Sequence, residues 1–239
     1  MNPIPTAERL IVALDLPEVP AAQALVNGLG DAVSFYKIGM ELCMAPGFFD
    51  LLDWLRSRDK KVFVDLKFFD IPETVARAVA RLSERGAQFC TVHGNQAIMQ
   101  AAARAKGNGM KVLAVTALTS LDRGDLDDLG FQCDVEALVL SRARRALAAG
   151  CDGVVSSGLE VERLRQEAPR ELIVVTPGIR PVDNDVVSEG GGDQKRVMTP
   201  SRALGAGADY LVVGRPIRDA ADPRAAALTI QTEIALACA

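Results

Sequence analysis

Lys61-Val62-Phe63-Val64-Asp65-Leu66-Lys67-Phe68 is an apolar, β-branched run broken by two charges, and its surroundings decide the fold. Residues 71–86 follow with helical spacing, Val75, Val79 and Leu82 on one face and Arg77, Arg81 and Glu84 off it. A second short apolar run follows at 89–94. Strand, amphipathic helix and strand together make the repeating unit of a parallel sheet covered on its outside. Working outward, similar runs recur at 10–16, 34–40, 111–118, 153–158, 171–179 and 209–217, making eight strands. At 135–150, Leu138, Ala146 and Leu147 share another helical face that closes on Gly150. Eight such units in 239 residues predict an α/β protein, a closed (β/α)8 TIM barrel forming one domain over 1–239. The alternative, an open doubly wound sheet, usually carries a glycine fingerprint after its first strand, and Leu14-Asp15-Leu16-Pro17 has none.

Composition narrows the function classes. Hydrophobic residues make up 49% of the chain, enough for a sizeable core, and the formal net charge is −4. Nothing resembles a basic nucleic-acid surface, so a bound anion would need locally gathered positive charge. Met1-Asn2-Pro3-Ile4-Pro5 lacks the basic and apolar regions of a signal peptide, and no apolar run reaches membrane-spanning length. The expectation is a cytoplasmic protein with no membrane or nucleic-acid partner. Cys43, Cys90, Cys133, Cys151 and Cys238 are odd in number and show no CxxC spacing, which points to reduced, mostly buried thiols. A single histidine, His93, excludes a histidine-rich metal site. Residues 181–199 contain Gly190-Gly191-Gly192 without periodicity; a lid or binding loop and a mobile surface insertion both fit.

In such a barrel the working residues stand at the C-terminal ends of the strands. Asp15 closes the first, Lys37 lies in the second, Asp65 and Lys67 lie in the third, and Asp70 follows just beyond. His93 ends the fourth, Thr119 and Ser120 the fifth, Gly178-Ile179-Arg180 the seventh and Gly214-Arg215 the eighth. Charge within an apolar strand is costly unless paired. Asp65 and Lys67 are two apart and face the same way, and Lys37 can point into the same mouth. Asp70 can be aimed back or toward a partner chain. Two lysines alternating with two aspartates sum to zero, and flanking carboxylates hold a lysine as the ammonium. A purely structural ion-pair network closing the barrel mouth fits the spacing equally well. The glycine–arginine pairs after strands seven and eight fit a phosphate site, since backbone N–H groups and guanidinium forks both suit phosphate oxygens.

Asp65-Leu66-Lys67-Phe68-Phe69-Asp70-Ile71-Pro72 resembles the DxKxxDIP signature of the orotidine 5′-phosphate decarboxylase family, bacterial type. Ala13-Leu14-Asp15, Lys37-Ile38-Gly39, Leu118-Thr119-Ser120, Thr176-Pro177-Gly178-Ile179-Arg180, Asp193-Gln194-Lys195-Arg196 and Val213-Gly214-Arg215-Pro216 follow in family order, so the resemblance spans about residues 10–217. It implies decarboxylation of orotidine 5′-monophosphate to uridine 5′-monophosphate in de novo pyrimidine biosynthesis, without metal or cofactor. Lys67 is then the proton donor to the C6 carbanion and Asp65 the neighbour of the substrate carboxylate. Lys37 and Asp70 complete the array, Lys37 also reaching the ribose with Asp15. The family supplies its second aspartate from the partner subunit, which places Asp70, Ile71 and Thr74 in the other active site of a homodimer. Thr119, with Ser120 as the nearby alternative, meets the pyrimidine. Gln194 links lid, base and phosphate; Gly214 and Arg215 hold the phosphate, with Pro177 and Arg180 beside them.

Phe69 stands where many relatives carry His, and Glu73 where they carry Asn. Both bear on packing at the subunit contact rather than on proton transfer, and His93 reads as a structural strand-end residue. Magnesium-dependent relatives resembling 3-keto-L-gulonate 6-phosphate decarboxylase share a DxKxxD motif but carry a metal-holding glutamate on the second strand, where this chain has Lys37. A non-catalytic phosphosugar-binding barrel is the remaining alternative; it would have no use for the Asp–Lys–Asp array.

Overall fold

In the computed structural model, residues 4–107, 109–181 and 197–238 are described. Eight strands, β1 (Leu10–Ala13), β2 (Phe35–Ile38), β3 (Lys61–Phe68), β4 (Phe89–Val92), β5 (Lys111–Val115), β6 (Gly153–Val155), β7 (Ile173–Thr176) and β8 (Tyr210–Val213), close into one barrel in sequence order. Every neighbouring pair is parallel, including β1 with β8. Among the described residues the helices are α1 (Val19–Leu29), α2 (Met40–Met44), α3 (Phe48–Arg56), α4 (Pro72–Glu84), α5 (Gln96–Ala105), α6 (Arg123–Asp128), α7 (Val135–Ala148), α8 (Gly158–Glu167), α9 (Pro200–Gly205), α10 (Arg215–Arg218) and α11 (Pro223–Ala237). None is long and apolar enough to cross a membrane.

The period-2 pattern of the strands separates two cores. Outward residues such as Val12, Tyr36, Val64 and Cys90 pack against the helices, with α4 presenting Val75, Val79 and Leu82 as its spacing predicts. Inward residues fill the barrel: Ile11, Phe35, Phe63, Phe89, Leu113, Ile173 and Tyr210 form a buried plug. Phe89 lies at its centre, 5.1 Å by ring centroid from both Phe35 and Tyr210. One step further along the strands the inward positions are Ala13, Lys37, Asp65 and Thr91, so the interior turns polar toward the C-terminal mouth.

Several strands stop before their apolar runs do. The run at 209–217 ends as a strand at Val213, because Gly214 caps α10 and Pro216 lies in its first turn without an N–H for the ladder. The run at 34–40 likewise gives way to α2 at Met40.

β3 departs from a regular ladder. Val64 pairs with Cys90 and Phe68 with Val92, so residues 65–67 stand opposite Thr91 alone. This bulge carries Lys67 at φ +49°, a left-handed conformation that residues other than Gly, Asn and Asp seldom adopt. Such strain costs on the order of 1–3 kcal/mol and collects at functional sites.

Candidate active site

A cavity of about 630 Å³ opens at the C-terminal mouth, within the usual size of a small-molecule site. Its floor is a chain of alternating charges. Asp15 Oδ1 accepts from Lys37 Nζ at 2.8 Å, Lys37 Nζ lies 3.8 Å from Asp65 Oδ2, and the same Oδ2 accepts from Lys67 Nζ at 3.0 Å. Lys37 is the most buried of the four, whereas the Asp15 and Lys67 side chains are 46% and 36% exposed and face the cavity. The barrel builds this row because Lys37 on β2 pairs in register with Ala13 on β1 and Phe63 on β3, and Asp15 and Asp65 each follow two residues beyond those partners. Room for it comes from Gly39, where a Cβ would sit 3.2 Å from both Asp15 Oδ1 and Lys37 Nζ.

Asp65 divides its carboxylate. Oδ2 faces the lysines, while Oδ1 accepts from the Thr91 hydroxyl at 2.8 Å. Thr91 is fully buried, and its oxygen also accepts from the Lys67 backbone N–H at 2.9 Å.

The opposite wall carries the other expected group. Gly178 turns with φ +78° at the end of β7. Gly178 and Arg180 then bond Met198 through its N–H and its carbonyl, at 3.1 and 3.0 Å, so the chain is pinned on both sides of the segment 182–196. Pro177, Arg180, Gly214 and Arg215 all line the cavity. Arg218 lines it too, gripping Asp219 through Nε and Nη2 at 2.6 and 2.9 Å while Nη1 donates to the Asp15 carbonyl. The hydrogen bond from Arg218 holds the Asp219 carboxyl below its ordinary range.

Of the expected site residues, Asp15, Lys37, Asp65, Lys67, Thr119, Pro177, Arg180, Gly214 and Arg215 come together around this one cavity. Asp70, Ile71 and Thr74 do not: all three are exposed outside it, and Asp70 Oδ1 accepts from the Ile71 N–H at 2.6 Å. Within this chain Asp15, rather than Asp70, is the second carboxylate of the array. Ser120 is exposed beyond the cavity, and Gln194 lies outside the described residues. His93 packs edge-on against Phe69 and lies 3.4 Å from Arg142 Nη1. Burial, with Arg142 adding to it, pushes its imidazole below the ordinary histidine range. Among the described residues no three His, Cys, Asp or Glu side chains gather as a metal site.

The family model described as "Orotidine 5′-phosphate decarboxylase / HUMPS family" matches residues 8–230. The chain belongs to the orotidine 5′-phosphate decarboxylase / HUMPS family. It is 68% identical to the orotidine 5′-phosphate decarboxylase of Methylococcus capsulatus, over 98% of this chain and 94% of that one. It is 52% identical to that of Rhodopseudomonas palustris, over 96% of each. The crystal structure of orotidine 5′-phosphate decarboxylase from Lactobacillus acidophilus superposes with a TM-score of 0.82 at 34% identity, covering 95% of this chain and 99% of that one. The family resemblance carried by the DxKxxDIP stretch therefore extends through the whole barrel.

Two residues at this site are absent from the sequence reading. Arg218 was hidden because the run through residue 217 read as strand, whereas α10 turns it back over the mouth. Thr91 had a signal, a polar side chain in step with Phe89 on the inward face of β4, but a lone strand threonine is ordinary.

Proposed function

We propose that this chain converts orotidine 5′-monophosphate to uridine 5′-monophosphate in pyrimidine biosynthesis, without metal or cofactor, and that Lys67 protonates C6. Family membership makes it a carboxy-lyase. The observation that carries the finer reading is the Lys67 ammonium, held 3.0 Å from Asp65 at the wall of a cavity. When the C6–carboxylate bond breaks, its electron pair stays on C6 and CO2 departs. A fixed ammonium beside that carbon stabilises the developing charge and then forms the C6–H bond, leaving a neutral amine that takes a proton from water. Asp65 stands next to the substrate carboxylate, where repulsion falls as CO2 leaves.

In this reading Lys37 and Asp15 take the ribose hydroxyls and Thr119 the pyrimidine. Gly214 and Arg215 bind the phosphate, with Arg180 and Pro177 beside them. Gln194 bridges base and phosphate, so that phosphate binding supports catalysis at the base. The protein works as one cytoplasmic (β/α)8 domain that acts on neither nucleic acid nor membrane, and as a homodimer. Asp70, Ile71 and Thr74 are exposed and so accessible to a second copy, and exposed Phe69 and Ile71 give that surface apolar area.

The rival magnesium chemistry needs carboxylates as ligands. Asp15 and Asp65 are already paired with Lys37 and Lys67, which supports the metal-free reading. The test is the loss of ultraviolet absorbance of orotidine 5′-monophosphate with and without EDTA. Turnover indifferent to EDTA is expected; turnover that needs added magnesium, or occurs only with sugar phosphates, overturns the proposal. The shared site has its own test. Asp70→Asn alone should be inactive, and mixing it with Lys67→Ala subunits should restore about a quarter of parental activity if random dimers share residues across a two-fold axis; an Asp70→Asn variant that is active on its own shows that each site is self-contained.

A further inference from the structure

Thr91 is fully buried, does not line the cavity, and yet touches both members of the central pair. Its oxygen lies 2.8 Å from Asp65 Oδ1 and 2.9 Å from the backbone nitrogen of Lys67. The direction of each bond is forced by chemistry. An amide N–H can only donate and a carboxylate can only accept, so the hydroxyl accepts from Lys67 and spends its single proton on Asp65. A regular ladder offers the Lys67 N–H a carbonyl on β4; the bulge at 65–67, opposite Thr91 alone, takes that partner away. The hydroxyl replaces it. Without the hydroxyl, a partly buried N–H would lose its acceptor at a residue already held at φ +49°.

From this geometry we infer that Thr91 is a positioning residue for the decarboxylation. It locks the left-handed turn that aims Lys67 into the cavity and turns the Asp65 carboxylate so that Oδ2 faces the lysines. Asp65 would otherwise rotate about its terminal torsion, which is soft. The two bonds fix the Asp65–Lys67 pair from behind, on the side away from substrate. The inference rests on the assignment of Lys67 and Asp65 to the reaction, and deepens it by naming what holds them.

The experiment compares full-length Thr91→Val, Thr91→Ser and Thr91→Cys with the parent. It reads kcat and KM for orotidine 5′-monophosphate, the Kd of uridine 5′-monophosphate and thermal unfolding. Valine keeps the volume and removes the hydroxyl. Its kcat should fall about 100-fold, the scale of a small misplacement of a catalytic group, while KM and product Kd move less than about threefold. Serine restores the hydroxyl and most of kcat. Cysteine, whose sulfur is a weak donor and acceptor, falls between them and carries the test if the valine variant does not fold. A valine or cysteine variant with parental kcat overturns the inference. So does an equal fall in Ser and Val, which would trace the effect to the methyl group. Lys67→Ala run alongside keeps the two levels distinct. If that variant is inert while Thr91→Val keeps its kcat, only the positioning inference fails; if Lys67→Ala keeps its turnover, the assignment beneath it fails as well.

Discussion

Both ends of this barrel carry ion pairs, and they are built differently. At the lower end, Asp152 and Asp209 sit just before β6 and β8. Asp209 Oδ2 meets Arg165 Nη2 at 2.5 Å and accepts the Val174 N–H at 2.8 Å. Asp152 Oδ2 meets Lys106 Nζ at 2.6 Å and accepts the Val112 N–H at 2.8 Å. Each acid thus ties a helix residue or helix end to the neighbouring strand and is spent on the protein itself. At the mouth, the row Asp15–Lys37–Asp65–Lys67 has its interior secured and its ends turned to the cavity. Charge alone does not distinguish the two regions; the exposure of the outer groups Asp15 and Lys67 to the cavity does. That contrast separates a structural network from a working one, which spacing in the sequence alone leaves open.

The comparison breaks if the mouth turns out to hold the fold together. Under the proposed mechanism Lys67→Ala should lower kcat on the order of 10⁴-fold or more, since it would remove both the proton donor and the fixed charge. Its thermal midpoint should stay at or above the parent's, because the strained left-handed position loses nothing it needs for folding. Steady-state kinetics beside calorimetry checks both.

Asp209→Ala should do the reverse. It strands the Arg165 guanidinium in a mostly buried place and frees the Val174 N–H, which costs about 3–5 kcal/mol in denaturant unfolding with kcat at saturating substrate nearly unchanged. A large loss of kcat in the folded variant would erase the distinction between the two ends.

Arg215→Ala sharpens the mouth internally. Under the proposed phosphate role, losing this charged grip should raise KM about 10- to 100-fold in steady-state kinetics. The smallest effect belongs to Lys106→Ala. Its pair with Asp152 is partly open to solvent, so the loss in chemical unfolding should be only about 1 kcal/mol.

The barrel was legible because the apolar runs at 61–68 and 89–94 with the helical face of Val75, Val79 and Leu82 between them repeat around the chain. Asp65 and Lys67 were legible as a pair because strand alternation is local. The bulge was not. It is a relation between β3 and β4, visible only once Val64 is seen beside Cys90 and Phe68 beside Val92. Thr91 acquires its place from that shift. Asp70 was legible from spacing only as a charge, and the family resemblance alone assigned it to a partner's site; its exposure places it outside its own chain's cavity. The strand ends at Val213 and Ile38 were overrun because Gly214 and Gly39 end the ladder without interrupting hydrophobicity enough to be read.

The most direct test is a single-turnover mix of excess enzyme with orotidine 5′-monophosphate, parent against Lys67→Ala, with EDTA present and uridine 5′-monophosphate binding measured on the same samples. The account predicts rapid loss of substrate absorbance in the parent, none above background in the variant, and product binding within about threefold in both. A variant that decarboxylates at the parental rate, or a folded parent that does not decarboxylate at all, contradicts it.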